Sequence, residues 1–206
     1  MIPTDNRTVH HDLLVIGGGN AGLSIAGRLH RYGVADVAVI EPRSHHRYQP
    51  LFSHVAGGTA RASQAVRPQG EVTPRGVEWI RDAVAAVEPD SSLVVLESGR
   101  RVGYNHVIVC AGMQNDFDAV PGLRSALGTP EVSSHYELDT IAKTSRLLRD
   151  LTEGTAVFTQ PAGPASCAGA AQKPMYLACD YWRAQGVLQD IRVVMSSRIP
   201  PCSASR

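Results

Sequence analysis

Between an apolar run, Leu13-Leu14-Val15-Ile16, and a stretch whose apolar residues recur at helical spacing, the chain carries Gly17-Gly18-Gly19-Asn20-Ala21-Gly22. The run is bounded by Asp12 and by glycine, and reads as a buried parallel strand. Ile25, Ala26, Leu29 and Tyr32 then mark one face of a helix from Asn20 to Tyr32, closed by Gly33. Ala38-Val39-Ile40 supplies a second strand that ends at Glu41-Pro42, completing a βαβ unit. In that setting a G-x-G-x-x-G pattern has a specific reading. Gly17 permits a tight turn, Gly19 lets the backbone approach a pyrophosphate at the helix N-terminus, and Gly22 lets the helix pack closely on the strand. Glu41, about 20 residues further on, is placed to bind ribose hydroxyls and argues against a 2′-phosphate. The fingerprint therefore predicts a dinucleotide site, but it does not choose between NAD and FAD, which share the adenosine diphosphate.

The rest of the chain is organised around that unit. Residues 43–75, rich in Gly, Pro, Ser and His, are expected to form a long loop with one broken helix. Val77 to Ile80, Val84 to Val87 and Leu93 to Leu96 read as strands, with turns at Pro89-Asp90 and Gly99-Arg100, and Val107 to Gly112 as an apolar strand breaking at glycine. A helix is expected from Tyr136 to Leu151, capped by Gly154, followed by a strand at Thr155 to Thr159. A loop from Pro161 to Gly169, a helix from Ala170 to Gln185 and a strand from Ile191 to Met195 complete this second part. The expected fold class is α/β, a Rossmann-like FAD/NAD(P)-binding domain with a β-meander followed by an incomplete second Rossmann-like unit. The expected boundaries are 8–114, 115–195 and an unrelated, disordered tail at 196–206.

Composition removes several function classes. Lys+Arg number 20 against 19 Asp+Glu, so there is no electrostatic footprint for nucleic acid. No apolar run reaches the roughly 20 residues needed to span a bilayer, and the N-terminal stretch is too polar for a signal peptide, which points to a cytoplasmic protein. Cys110, Cys167, Cys179 and Cys202 match no zinc spacing, so no metal is expected, and a reducing compartment disfavours a structural disulfide. Cys167 stands out because it precedes the helix expected near Ala170, where unpaired amides and the helix dipole stabilise a thiolate, with Lys173 adding positive charge. The plainer alternative is a small buried filler. His45, His46 and His54 read as solvated or structural, Cys179 as core, and Cys110 as strand-end packing with a minor redox role left open.

Residues Val84 to Gly112 resemble the arrangement of two-dinucleotide-binding flavoproteins, with Cys110-Ala111-Gly112 where that class usually has Ala-Thr-Gly; this favours FAD. More specifically, Gly17 to Gly22, Glu41-Pro42, Tyr48-Gln49-Pro50, Gly76-Val77-Glu78-Trp79-Ile80 and Cys167 to Leu177 resemble the sulfide:quinone oxidoreductase family, nearest its mitochondrial-type branch. The likeness runs from about Asp12 to Met195. It implies that Cys167 is one of two redox cysteines beside the flavin, which take up hydrosulfide, retain its sulfur as a persulfide and reduce FAD. Electrons then pass to a quinone, and the sulfur to a small thiol or sulfite. It also implies flavin contacts at Gly17, Gly19, Asn20, Ala21, Gly22, Glu41, Gln49, Val84 and Gly112, with Val84 acting through its backbone at the adenine.

The sequence also departs from that family. The second redox cysteine, the Gly-Asp segment of the flavin site and the C-terminal amphipathic region that reaches the inner membrane have no match. Ser196 to Arg206 matches neither the family nor a core pattern, which suggests a truncated or frameshifted product that retains FAD weakly and does not turn over. Two other readings stay open. One is a relative of type II NADH:quinone dehydrogenase, although the loop after Thr159 lacks G-x-G-x-x-G; the other is a catalytically dead nucleotide-binding or interaction module.

Overall fold

A computed structural model describes residues 8–160, 167 and 169–197. In chain order its elements begin with β1 (Val9–Ile16), α1 (Asn20–Arg31), β2 (Val37–Ile40), β3 (His45–Arg47), α2 (Phe52–Ala56), β4 (Val66–Pro68), α3 (Gln69–Val72) and β5 (Val77–Ile80). They continue with β6 (Val84–Glu88), β7 (Leu93–Leu96), β8 (Arg101–Val109), α4 (Leu123–Ala126), α5 (Leu138–Asp150), β9 (Gly154–Gln160), α6 (Gln172–Gln185) and β10 (Ile191–Ser197). Packing divides the chain into two units. One comprises the chain up to Tyr48 together with Val66–Gln114; the other comprises Gln49–Ala65 and the chain from Asn115 onward.

The first unit is built on a six-stranded sheet of order β5-β2-β1-β8-β7-β6. β5, β2, β1 and β8 run parallel, and β8, β7 and β6 form an antiparallel meander. Strand alternation explains the two cores, because successive side chains leave opposite faces. Leu13 and Val15 of β1 point to the face that receives Leu23 and Ala26 of α1, together with Val37, Val39 and Val77. Leu14 and Ile16 point the other way, into a cluster with Ala38, Ile40, Val94, Leu96, Val102 and Tyr104. Burying each of these aliphatic side chains contributes about 1.5–3 kcal/mol, which is what holds helix and meander to the sheet. Helix α1 ends as expected: Tyr32 and Gly33 donate to the carbonyls of Arg28 and His30, and Gly33 takes a φ of 101° that a side chain would resist.

Three sequence expectations need correction. Residues 43–75 are not a loop with one broken helix, because β3 and β4 pair antiparallel with α3 packed against them, and the segment between the two strands carries α2. These pieces are too short to show a period, and their pairing is long-range. The strand expected at Val107 to Gly112 is β8, which starts at Arg101 and stops at Val109; its ladder continues only through the Cys110 amide, which donates to the Ile16 carbonyl at 2.7 Å. Gly154 does not cap α5. That helix ends at Asp150, with Leu151 extended and packed into the core, and Gly154 opens β9.

In the second unit β9 and β10 pair in parallel, and Trp182, Ala178, Ala156 and Ile191 form the core between sheet and helix, with Leu148 and Leu151 against it. Ser196 and Ser197, assigned to the tail by sequence, pair with Thr159 and Gln160 at the end of β10. The remainder of that tail, Cys202 included, lies outside the described residues. A second cluster joins Phe52 and Val55 of α2 to Ala65 and Ile141 of α5. The Lys143 ammonium donates to the carbonyls of Leu127, Thr129 and Val132, fixing the segment that leads into α5. No helix among the described residues is long and apolar enough to cross a membrane.

Candidate functional site

The glycine turn sits between the end of β1 and the start of α1. Two of its glycines are demanded by protein backbone. A Cβ on Gly22 would overlap the Gly17 carbonyl oxygen, and one on Gly17 would overlap the Cys110 carbonyl, so helix, turn and β8 approach each other backbone to backbone. Gly17 also adopts a φ of 102°. Gly19 differs: a Cβ there would meet nothing within 4 Å. The space beside Gly19 is open at the N-terminal pole of α1, where no side chain caps the helix and the first turn holds no acidic residue. Unpaired first-turn amides and the positive end of the helix dipole face that space, which suits an anion such as a pyrophosphate.

Around the turn lies a set of clamps that periodicity does not reveal. Gly18 is buried; its amide donates to Glu41 Oε2 at 2.9 Å, and the other Glu41 oxygen accepts from the Arg43 amide at 2.9 Å. Glu41 is thus oriented by backbone on both oxygens and retains lone pairs for hydroxyl donors. The Gly18 carbonyl accepts from Gln69 Nε2 at 3.0 Å and from His46 Nδ1 at 3.2 Å, while His46 Nε2 lies 2.8 Å from Asn20 Oδ1. Gln69 is 1% exposed, so its amide is committed to this role. A Cβ on Gly18 would press on both Gln69 and Glu41 at 2.6 Å, so side chains crowd this position where backbone crowds Gly17 and Gly22. Trp79 Nε1 donates to the Glu41 carbonyl at 2.8 Å, giving the Gly76 to Ile80 motif a physical task. Gly18, His46, Gln69 and Trp79 were missed as site residues. His46 was read as solvated or structural, and only its contact with the turn distinguishes it from His45, which bonds Ser44, and His54, which bonds Thr59.

The other expected contacts are placed as follows. Asn20 and Ala21 open α1 and are exposed. Val84 starts β6, half-buried against the meander core and paired with Leu96. Gly112 is exposed beyond β8. Gln49 belongs to the second unit, where it opens an exposed 3-10 turn, Gln49–Leu51.

In the second unit Cys167 is a free, exposed thiol, which removes the buried-filler alternative. Helix α6 begins at Gln172, not near Ala170, and the turn at Gly169–Ala171 separates it from Cys167, so the dipole argument weakens, since that effect fades within one turn. The surroundings supply other polar groups. Burial raises the Tyr136 hydroxyl, with the nearby Cys167 thiolate adding to the rise. The His135 ring lies tilted by 40° against that of Tyr136 with centroids 4.4 Å apart, and burial, opposed by the Ala170 backbone and reinforced by Lys173, lowers its pKa to about 4. Cys179 is half-buried beside Trp182, and burial pushes its thiol up; Cys110 is half-buried against the α1 face of the sheet.

His135 makes stability depend on pH. An unfolded chain takes up a proton near pH 6.5, whereas the folded ring stays neutral to about 4, so stability is complete above 6.5 and falls as pH drops towards 4. Thermal melts between pH 4 and 7 are expected to show this slope, and His135→Asn to flatten it.

Residues 11–160 match the model of the pyridine nucleotide-disulphide oxidoreductase family. The chain belongs to that family. It is 37% identical to the mitochondrial sulfide:quinone oxidoreductase of Mus musculus over 92% of its own length and 42% of the relative's, and 32% identical to that of Dictyostelium discoideum over 90% and 42%. The chain therefore spans less than half the length of these relatives. Among solved structures, the sulfide:quinone oxidoreductase of Aquifex aeolicus superposes with a TM-score of 0.74 at 19% identity, covering 92% of this chain and 43% of the other, which shows a shared fold.

Proposed function

We propose that this chain binds the adenosine diphosphate end of FAD at the glycine turn and serves, within a sulfide:quinone oxidoreductase type of flavoprotein, in oxidation of sulfide with transfer of electrons to a quinone. The observation that carries the reading is the difference among the glycines: Gly17 and Gly22 make room for the protein, and Gly19 for something outside it, at an uncapped helix pole. The pyrophosphate would meet the first-turn amides of Gly19, Asn20 and Ala21, and Glu41 would accept hydrogen bonds from ribose hydroxyls. Bound there, FAD would supply the acceptor for the two electrons released when sulfide becomes sulfane sulfur. Cys167 is the thiol proposed to hold that sulfur as a persulfide; it is exposed, free and flanked by Tyr136. Gln49, Val84 and Gly112 are proposed as further flavin contacts, and a small thiol or sulfite as the sulfur acceptor.

The test uses FAD added to the purified protein. Binding is expected to quench flavin fluorescence, and Gly19→Val to weaken binding by at least tenfold. Anaerobic sulfide is expected to bleach the visible flavin band in the wild type and not in Cys167→Ser. Bleaching by NADH and not by sulfide would instead assign the chain to NADH:quinone chemistry, and no FAD binding at all would refute the proposal.

A further inference from the structure

The two nitrogens of His46 both face oxygen. Nδ1 lies 3.2 Å from the Gly18 carbonyl, which can only accept, and Nε2 lies 2.8 Å from Asn20 Oδ1, which also accepts. A neutral imidazole carries one N–H and so can satisfy only one of these contacts. Only a ring protonated on both nitrogens can donate to both oxygens in this arrangement. When the ring loses the proton on Nε2, that nitrogen becomes an acceptor, and the Asn20 amide must turn over to offer its NH₂ group. Protonation of His46 and orientation of Asn20 are therefore one equilibrium, and Asn20 is the first residue of α1, at the pole where the anion is proposed to sit.

We propose that His46 is a proton-linked positioning residue of the glycine turn, its imidazolium form being the form that holds the dinucleotide. This rests on the reading of the turn as the FAD diphosphate site. A cation that contacts the Gly18 carbonyl and the side chain of Asn20 adds attraction for the diphosphate and braces the turn, so that ligand binding and proton uptake from solvent favour each other. The charged neighbours do not all act one way. Glu41 adds negative charge at the amide of Gly18, the residue whose carbonyl His46 contacts, and Glu71 is the exposed acidic residue in the first turn of α3. Arg67, directly opposite His46 in the β3–β4 pair, opposes the protonated ring, and Arg43, His45 and Arg47 on the same segment add positive charge. From α3 itself the group facing the turn is the uncharged Gln69.

The sign follows from linkage. A diphosphate that prefers the imidazolium binds more tightly as pH falls through the titration of the ring, and binding raises the midpoint of that titration. Flavin-fluorescence titrations with FAD between pH 5.5 and 8.5 are expected to show affinity about five- to tenfold higher at the acid end, the range of a coupling just under one pH unit. His46→Gln, which cannot titrate, is expected to give a flat profile. A second readout needs no variant: the NMR titration midpoint of the His46 ring is expected to move up when FAD is added. A flat wild-type profile, a slope retained in His46→Gln, or a midpoint unmoved by FAD overturns the proposal while FAD binding stands. Absence of FAD binding at every pH overturns this proposal together with the functional reading beneath it.

Discussion

Gly22→Ala is expected to abolish dinucleotide binding and to destabilise the first unit by more than about 3 kcal/mol, whereas Gly19→Ala leaves stability within about 0.5 kcal/mol of wild type. The added methyl at position 22 would occupy the space of the Gly17 carbonyl oxygen, and both partners are backbone, so no side-chain rotation can relieve the overlap. Helix α1 would have to lift from β1, opening the cluster of Leu13, Val15, Leu23 and Ala26. At position 19 the same methyl enters open space. The contrast separates what folding requires of the motif from what a ligand requires. Denaturant unfolding of both variants, paired with FAD titration, checks it; equal stability of the two would show that the close approach of helix and strand is not what the motif supplies.

Trp182→Ala is expected to cost about 3–5 kcal/mol in the second unit. The indole is fully buried among Ala156, Ala178 and Ile191, and its Nε1 donates to the Leu148 carbonyl at 2.7 Å. Truncation leaves a large cavity and orphans that carbonyl at the end of α5, whose loss of a partner adds about 1 kcal/mol. Since a domain holds only some 5–15 kcal/mol in total, a loss of this size is expected to lower the melting temperature steeply. Trp182→Phe, which fills most of the space and lacks the donor, is expected to cost about 1–2 kcal/mol. Chemical denaturation monitored by far-UV circular dichroism distinguishes these values, and a cost below about 1 kcal/mol for the alanine variant would mean that Trp182 is not the keystone of this core.

Long apolar periods were legible and short or long-range features were not. β1, α1, β2 and the meander could be read because each carries its own pattern, and a strand of buried Val, Leu and Ile is recognisable without knowing its neighbours. The pairing of β3 with β4 was invisible, since His45–Arg47 and Val66–Pro68 are short, polar and separated by a segment that packs with the other unit. The start of α6 was placed too early because Ala170 and Ala171 have high helix propensity, yet the hydrogen-bonded turn that closes on the Cys167 and Gly169 carbonyls precedes the helix. That small displacement matters for Cys167, whose carbonyl accepts from the Ala170 amide in the turn that precedes the helix.

By itself the sequence determined a β-strand, a glycine turn and a helix followed by an acid, because that pattern is local: the apolar runs, the glycines between them and the acid beyond follow one another along the chain. Tertiary structure alone decided that Gln69, Trp79 and His46, distant along the chain, converge on Gly18 and Glu41 and orient them. Hydrogen bonds of that kind leave no periodic trace, since a buried amide or imidazole is chosen by the one carbonyl it must reach.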